Sequence, residues 1–129
     1  MRFFAAILLA VAVLTGCSRQ ATPSSLAGRY YRGDGMGYNV YLDLVADGTY
    51  KAEWRGCLGT YGTAGGTWLG DGERIVLSPS SETDMMKGHL RKLHVVKHDG
   101  QFVFVPDLHD DYYRTYGPDR YSAFHRQKS

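Results

Sequence analysis

A chain of 129 residues holds one domain with a modest core. Its 15 Lys and Arg stand against 13 Asp and Glu, a formal charge of +2. That balance, with no basic patch along the chain, argues against a nucleic-acid partner.

At the N-terminus, Arg2 precedes an unbroken apolar run from Phe3 to Leu14, followed by Thr15-Gly16-Cys17. A run of about 12 apolar residues suits an export signal and falls short of the roughly 20 that a membrane-spanning helix needs. Leu14-Thr15-Gly16-Cys17 resembles the bacterial lipobox, an aliphatic residue and two small ones before a cysteine that takes lipid on its thiol. The resemblance implies a cleaved signal peptide over residues 1–16 and a lipidated Cys17 at the head of the mature chain. It also implies a membrane as the first partner. Each buried methylene contributes about 0.8 kcal/mol, so several acyl chains on one cysteine hold a protein in place where a single chain binds reversibly. Ser18, where the lipoprotein pattern for inner-membrane retention has Asp, points to the outer membrane of the cell envelope, facing the periplasm. Ser18 to Ser25 is polar and contains Pro23, the composition of a flexible tether, which sets the tether at 17–25 and the folded domain at 26–129.

Gly28-Arg29-Tyr30-Tyr31 opens the first expected strand. Tyr38 to Ala46 then alternates with a period of two and places Tyr38, Val40, Leu42, Leu44 and Ala46 on one face. Asp47-Gly48 is a hairpin turn, after which Tyr50, Ala52 and Trp54 alternate inward. Thr60 to Leu69, rich in Gly and Thr around Trp68, suits a sharply bent strand. Asp71-Gly72 is a second turn, and Ile75 and Leu77 face inward on a strand expected to stop at Pro79. Ser80 to Gly88 lacks alternation and predicts a loop or one short helical turn over the mouth of the domain. Leu90 to Lys97 resumes strand character, Asp99-Gly100 is a third turn, and Gln101 to Val105 is apolar on both faces. Tyr121 to Arg126 is placed to close the sheet. The expected fold is all-β: a small antiparallel meander barrel or half-barrel of about seven or eight strands, preceded by the signal peptide.

Gly28-Arg29-Tyr30-Tyr31 resembles the Gly-x-Trp-Tyr motif that opens the lipocalin barrel, with Tyr30 where that family has tryptophan. The resemblance implies an up-and-down barrel and an apolar ligand. On that footing the candidate ligand-binding residues are Tyr30, Tyr50, Trp54 and Trp68.

Catalytic motifs are missing: there is no Gly-x-Ser-x-Gly elbow, no His-Glu-x-x-His and no phosphate loop. The expected role is therefore a non-enzymatic binding module with no cofactor. Ten tyrosines in one small domain, four of them in the C-terminal quarter, mark a recognition surface at Tyr112, Tyr113 and Tyr116 for an envelope protein. His94 and His98 share an outward face and read as solvated. Asp107-Leu108-His109-Asp110-Asp111 reads as a solvated acidic loop; the alternative is a metal-binding protein or hydrolase using His109, Asp110 and Asp111, and another is an inhibitor of a second enzyme. Lipid on Cys17 would leave Cys57 without an intramolecular partner, and Cys57 is expected to be a small buried residue near a turn. Metabolic labelling with a palmitate analogue tests the anchor: wild type should label and Cys17→Ser should not, and equal labelling would overturn it.

Overall fold

In the computed structural model, which describes residues 24–129, one eight-stranded antiparallel sheet curls back on itself. The strands are β1 (Gly28–Gly33), β2 (Asn39–Leu44), β3 (Thr49–Gly56), β4 (Gly59–Gly70), β5 (Arg74–Glu82), β6 (Lys92–His98), β7 (Gln101–Val105) and β8 (His125–Arg126). From β1 to β7 each pairs with the next in sequence, and β8 returns to pair with β1. Phe104 and Phe124 then exchange backbone hydrogen bonds of 3.1 and 2.8 Å, so the ring is nearly closed and its long edges are covered. The signal peptide 1–16, Cys17 and the tether up to Pro23 lie outside the described residues.

The Asp-Gly pairs make the turns for a stated reason in each case. Asp47 Oδ1 accepts the Thr49 N–H at 2.9 Å and its hydroxyl at 2.7 Å. Asp71 Oδ1 accepts the N–H groups of Glu73 and Arg74 at 2.7 and 2.9 Å. Asp99 and Gly100, with φ of 49° and 77°, supply the two left-handed residues that a two-residue hairpin requires.

Alternation delivers the interior. Val40, Leu42 and Leu44 of β2, Tyr50 and Ala52 of β3, and Ile75 and Leu77 of β5 are all buried in one cluster, with Trp54 and Tyr38 packed half-buried against it. Tyr30 lies at its heart, wholly buried, its ring 4.2 Å from that of Phe104. Its hydroxyl donates to the Leu26 carbonyl at 2.9 Å and accepts from Arg126 at 2.7 Å. Arg126 also binds the carbonyls of Ser25 and Ala27 at 2.6 and 2.8 Å.

Strands that alternate in direction sort the connections into two ends. The near end carries the 3-10 turn Ser24–Leu26, the turns 45–48, 71–73 and 99–100, and the last residues; the far end carries 34–38, 57–58, 83–91 and 106–124. Leu26 plugs the near end, and Met86, on a 3-10 turn Asp84–Met86, plugs the far end. The far plug needs Gly62: a Cβ there would stand 2.7 Å from both the Met86 nitrogen and the Thr83 oxygen. This is the short helical turn expected between Ser80 and Gly88.

Several expectations are corrected. Pro79 does not end its strand: β5 runs on to Glu82, because a bulge at Gly65/Gly66 shifts the register from Gly66↔Pro79 to Gly65↔Ser81 and relieves the missing N–H. Ala46 is exposed in the turn that follows β2 rather than inward. Cys57 is exposed, since it and Leu58 form the tip of the β3–β4 hairpin. Residues 107–110 form the expected loop, and the last member of that acidic run, Asp111, opens a short helix, α1 (Asp111–Tyr116).

The two tyrosines of similar burial should respond oppositely to loss of the hydroxyl. Tyr30→Phe removes one of the three Arg126 hydrogen bonds and the side-chain donor to the Leu26 carbonyl, and should cost about 1–2 kcal/mol. The Tyr50 hydroxyl is buried with no partner among the described residues. Tyr50→Phe should therefore be neutral or stabilising in urea denaturation, and an equal loss in both variants would refute this assignment.

Candidate functional site

The segment after β7 is built on signals that stop a helix almost as soon as it starts. The Asp110 carboxylate caps α1 by accepting the Tyr113 N–H at 3.1 Å. Gly117, with φ of 75°, ends it by donating to the Tyr113 carbonyl at 2.7 Å, and Pro118 follows. One helical face is apolar: Tyr113 packs with Leu108 over Val103, Val105 and Ala123, a second small core on the outer side of β7. That explains why β7 is apolar on both faces.

The other face points Tyr112 and Tyr116 outward. Their rings lie 4.7 Å apart, one turn from each other, and Tyr121 meets Tyr112 edge-on at 5.9 Å. Tyr116 is 67% exposed, with Tyr112 and Tyr121 at 38% and 37%. Asp119 fixes the group in place. Its Oδ2 accepts the Tyr112 hydroxyl at 2.7 Å, and its Oδ1 accepts the N–H groups of Tyr121 and Ser122 at 2.8 and 3.1 Å. Ser122, buried, binds the Gly117 carbonyl at 2.7 Å. The Arg120 guanidinium sits over the Tyr121 ring at 4.7 Å.

Two ties join this platform to the barrel. Gly33 at the end of β1 donates to the Arg120 carbonyl at 2.9 Å, and Arg32 Nε donates to the Tyr121 carbonyl at 2.7 Å. Arg32 also lies over Tyr38 at 5.4 Å, the first of a second aromatic group at this end. There Tyr38 meets Trp54 at 4.8 Å, Trp54 meets His89 at 5.0 Å, and the Tyr38 hydroxyl is 3.2 Å from His89 Nε2. Burial, helped by the Arg32 charge, lowers the His89 pKa, so the ring stays neutral in this contact.

The candidate residues thus separate. Tyr112 and Tyr116 come together on the surface, whereas Tyr113 turns inward as a packing residue. Tyr121 belongs to the platform and was not singled out beforehand. Its only advance signal was membership of the crowded C-terminal tyrosines. Tyr30, Tyr50 and Trp68 are at most 2% exposed and belong to the packed core, and Trp54 lies half-buried against it. A groove of about 350 Å³ exists on the outer flank, lined by Arg29, Tyr41, Asp43, Lys51 and Glu53 among others, and none of those four aromatics reaches it.

His109, Asp110 and Asp111 are not aimed at a common point. Asp110 caps the helix, Asp111 lies 3.9 Å from Arg114, and the His109 N–H binds the Asp107 carboxylate at 2.8 Å. Among the described residues no three His, Cys, Asp or Glu side chains are placed to share a metal ion. No helix among them is long and apolar enough to cross a membrane. No protein-family model, curated protein or solved structure matches the chain.

The Tyr112–Asp119 bond has a spectroscopic consequence. Chiefly through that hydrogen bond, with burial and the carboxylate charge adding to it, the Tyr112 pKa is pushed up from 10.0 to about 12. For Asp119, burial alone would raise the pKa, but the hydrogen bonds from Tyr112, Tyr121 and Ser122 outweigh it and leave the carboxyl low. A tyrosine whose pKa is raised in the fold stabilises the fold below its unfolded pKa. That contribution should fade between pH 10 and about 12. The difference between ultraviolet titrations of wild type and Asp119→Asn should show one tyrosine moved down from the top of that range; no movement would exclude the bond.

Proposed function

We propose that this chain is an exported lipoprotein, anchored to the cell envelope through lipid on Cys17, whose barrel is a scaffold for binding another envelope protein. The single observation that carries the reading is the exposed platform of Tyr112, Tyr116 and Tyr121, held rigid from beneath by Asp119 and Ser122. Tyrosine offers a large contact area at little conformational cost and keeps a polar tip for a partner, which is why it concentrates in binding hot spots. A monomer gains no stability by leaving a ring such as Tyr116 in water, and singly exposed aromatics need no explanation, but a row of three joined through Tyr112 does.

An apolar ligand inside the barrel, as a lipocalin-like reading suggests, is the weaker alternative. The side chains that would line such a cavity fill the interior instead. The reading is non-enzymatic: the Asp119 carboxylate and the Ser122 hydroxyl are committed to holding the platform together.

The test is recovery of partners from envelope extracts by tagged, lipidated protein. Tyr116→Ala should deplete at least one co-purifying protein about tenfold, the scale on which a hot-spot residue acts. Leu69→Ala, at 54% exposed on the barrel flank, should leave the same protein bound. A set of partners indifferent to Tyr116 would overturn the proposal.

A further inference from the structure

The polarity of the barrel separates the anchor from the platform. The chain enters at Ser24, on the near end, and β1 then carries it across to Gly33, whose N–H binds the Arg120 carbonyl beneath the tyrosines. At about 3.3 Å per residue that crossing is about 17 Å. The seven-residue stretch from Cys17 to Ser24 spans at most about 25 Å when fully extended. A lipid on Cys17 therefore joins the protein to the bilayer at the near end, the end opposite the tyrosines.

Exposed apolar side chains follow the same division. Of nine large ones among the described residues, Met36, Leu58, Met85, Tyr112, Tyr116 and Tyr121 lie in far-end connections, and Val45, Leu69 and Val76 lie elsewhere. A surface meant for the anchoring membrane would show the opposite bias.

Hydrogen-bonding capacity at the platform is one-sided as well. Both Asp119 oxygens are occupied, by Tyr112, Tyr121 and Ser122. Asp34 Oδ1 accepts the N–H groups of Met36 and Tyr38 at 2.7 and 3.0 Å, and Asp111 faces Arg114. The arginines Arg32 and Arg120, in contrast, form no ion pair among the described residues. Tyr116 has no hydrogen bond there through its hydroxyl. At the tyrosines the Asp119 acceptors are thus committed within the platform, whereas Arg120, which donates one hydrogen bond to the Tyr121 hydroxyl, keeps an unpaired charge, and the complementary chemistry is a carboxylate.

We propose that the far end docks a segment of a partner protein along the row Tyr116, Tyr112 and Tyr121, with a carboxylate of that segment at the guanidinium of Arg120, at the end opposite the lipid anchor. This rests on the binding reading above and adds the partner's chemistry and the direction from which it approaches. Arginine beside tyrosine is the pairing that binding hot spots favour, and a carboxylate meets the guanidinium in two parallel hydrogen bonds.

The experiment uses the full lipidated chain in its own envelope, with a photo-crosslinking phenylalanine analogue placed at Tyr116 and, separately, at Val45 on the near end. The expected result is a protein adduct from position 116 and not from position 45. Its yield should fall about tenfold in Arg120→Glu, and with rising salt, as a charge-steered contact does. The salt series needs no variant and so stands even if Arg120→Glu folds poorly. A phospholipid or glycan adduct at position 116, or the same protein captured equally from position 45, overturns the proposal. A protein adduct indifferent to both Arg120→Glu and salt overturns the carboxylate while leaving the binding reading intact. No adduct from position 116 removes both.

Discussion

Arg126, three residues from the C-terminus, binds the Tyr30 hydroxyl and the carbonyls of Ser25 and Ala27, and so fastens the last strand to the first residues of the domain. An eight-stranded meander has two edges that are far apart in sequence, and the strand that joins them here is only two residues long. Two residues of ladder are too little to hold a ring closed. The guanidinium lies over the Tyr30 ring at 5.1 Å while making its hydrogen bonds, so charge, ring and backbone bind at one point. Buried Tyr30, in contact with Phe104 of β7, carries that closure into the core.

The rest of the C-terminal segment follows from the closure. Phe124 pairs with Phe104, and Ala123 packs on Val103 and Val105, so the chain between β7 and β8 has both its ends fixed on the outer side of β7. A segment fixed at both ends, with an apolar face to cover, folds into the shortest unit that can cover it. That unit is α1 with Tyr113 turned in, which necessarily turns Tyr112 and Tyr116 out. The tyrosine platform is thus the outer side of the piece that seals the barrel. The need to close the sheet fixes its position, and Asp119 and Ser122 hold its rings and backbone within that frame.

Much of this was legible in the residues. Alternation in Tyr38 to Leu44, Thr49 to Trp54 and Arg74 to Leu77, punctuated by Asp-Gly pairs, is enough to specify a meander, because a period of two and a tight turn each have a single structural meaning. The double apolar character of β7 was visible too, though not that a helix covers its second face. What stayed hidden depended on neighbours. Pro79 reads as a strand end, and only the bulge opposite, at Gly65/Gly66, lets the ladder pass it. Cys57 and Leu58 carry an apolar composition that suggests burial, but a two-residue turn between long strands leaves no choice except exposure. The cap at Asp110 and the stop at Gly117-Pro118 were in plain sight. A six-residue helix shows too little periodicity to be noticed beside five acidic and histidine-rich positions that suggested a loop.

The candidate site divides along the same line. Large aromatics on alternating strand positions are where a small barrel needs volume, so Tyr30, Tyr50 and Trp68 are consumed in filling it, and Trp68 satisfies its indole by donating to the Val45 carbonyl at 2.8 Å. A barrel of eight short strands with side chains this large has little interior left over. Exposed rings are then left to the connections, and the antiparallel order decides which ones. The near end is narrowed by tight turns whose residues are committed to Asp-mediated geometry, while the far end has the longer connections and the freedom to carry exposed rings. Since the described chain enters at Ser24 on the near end, β1 puts that entry and the tyrosine platform at opposite ends of one strand.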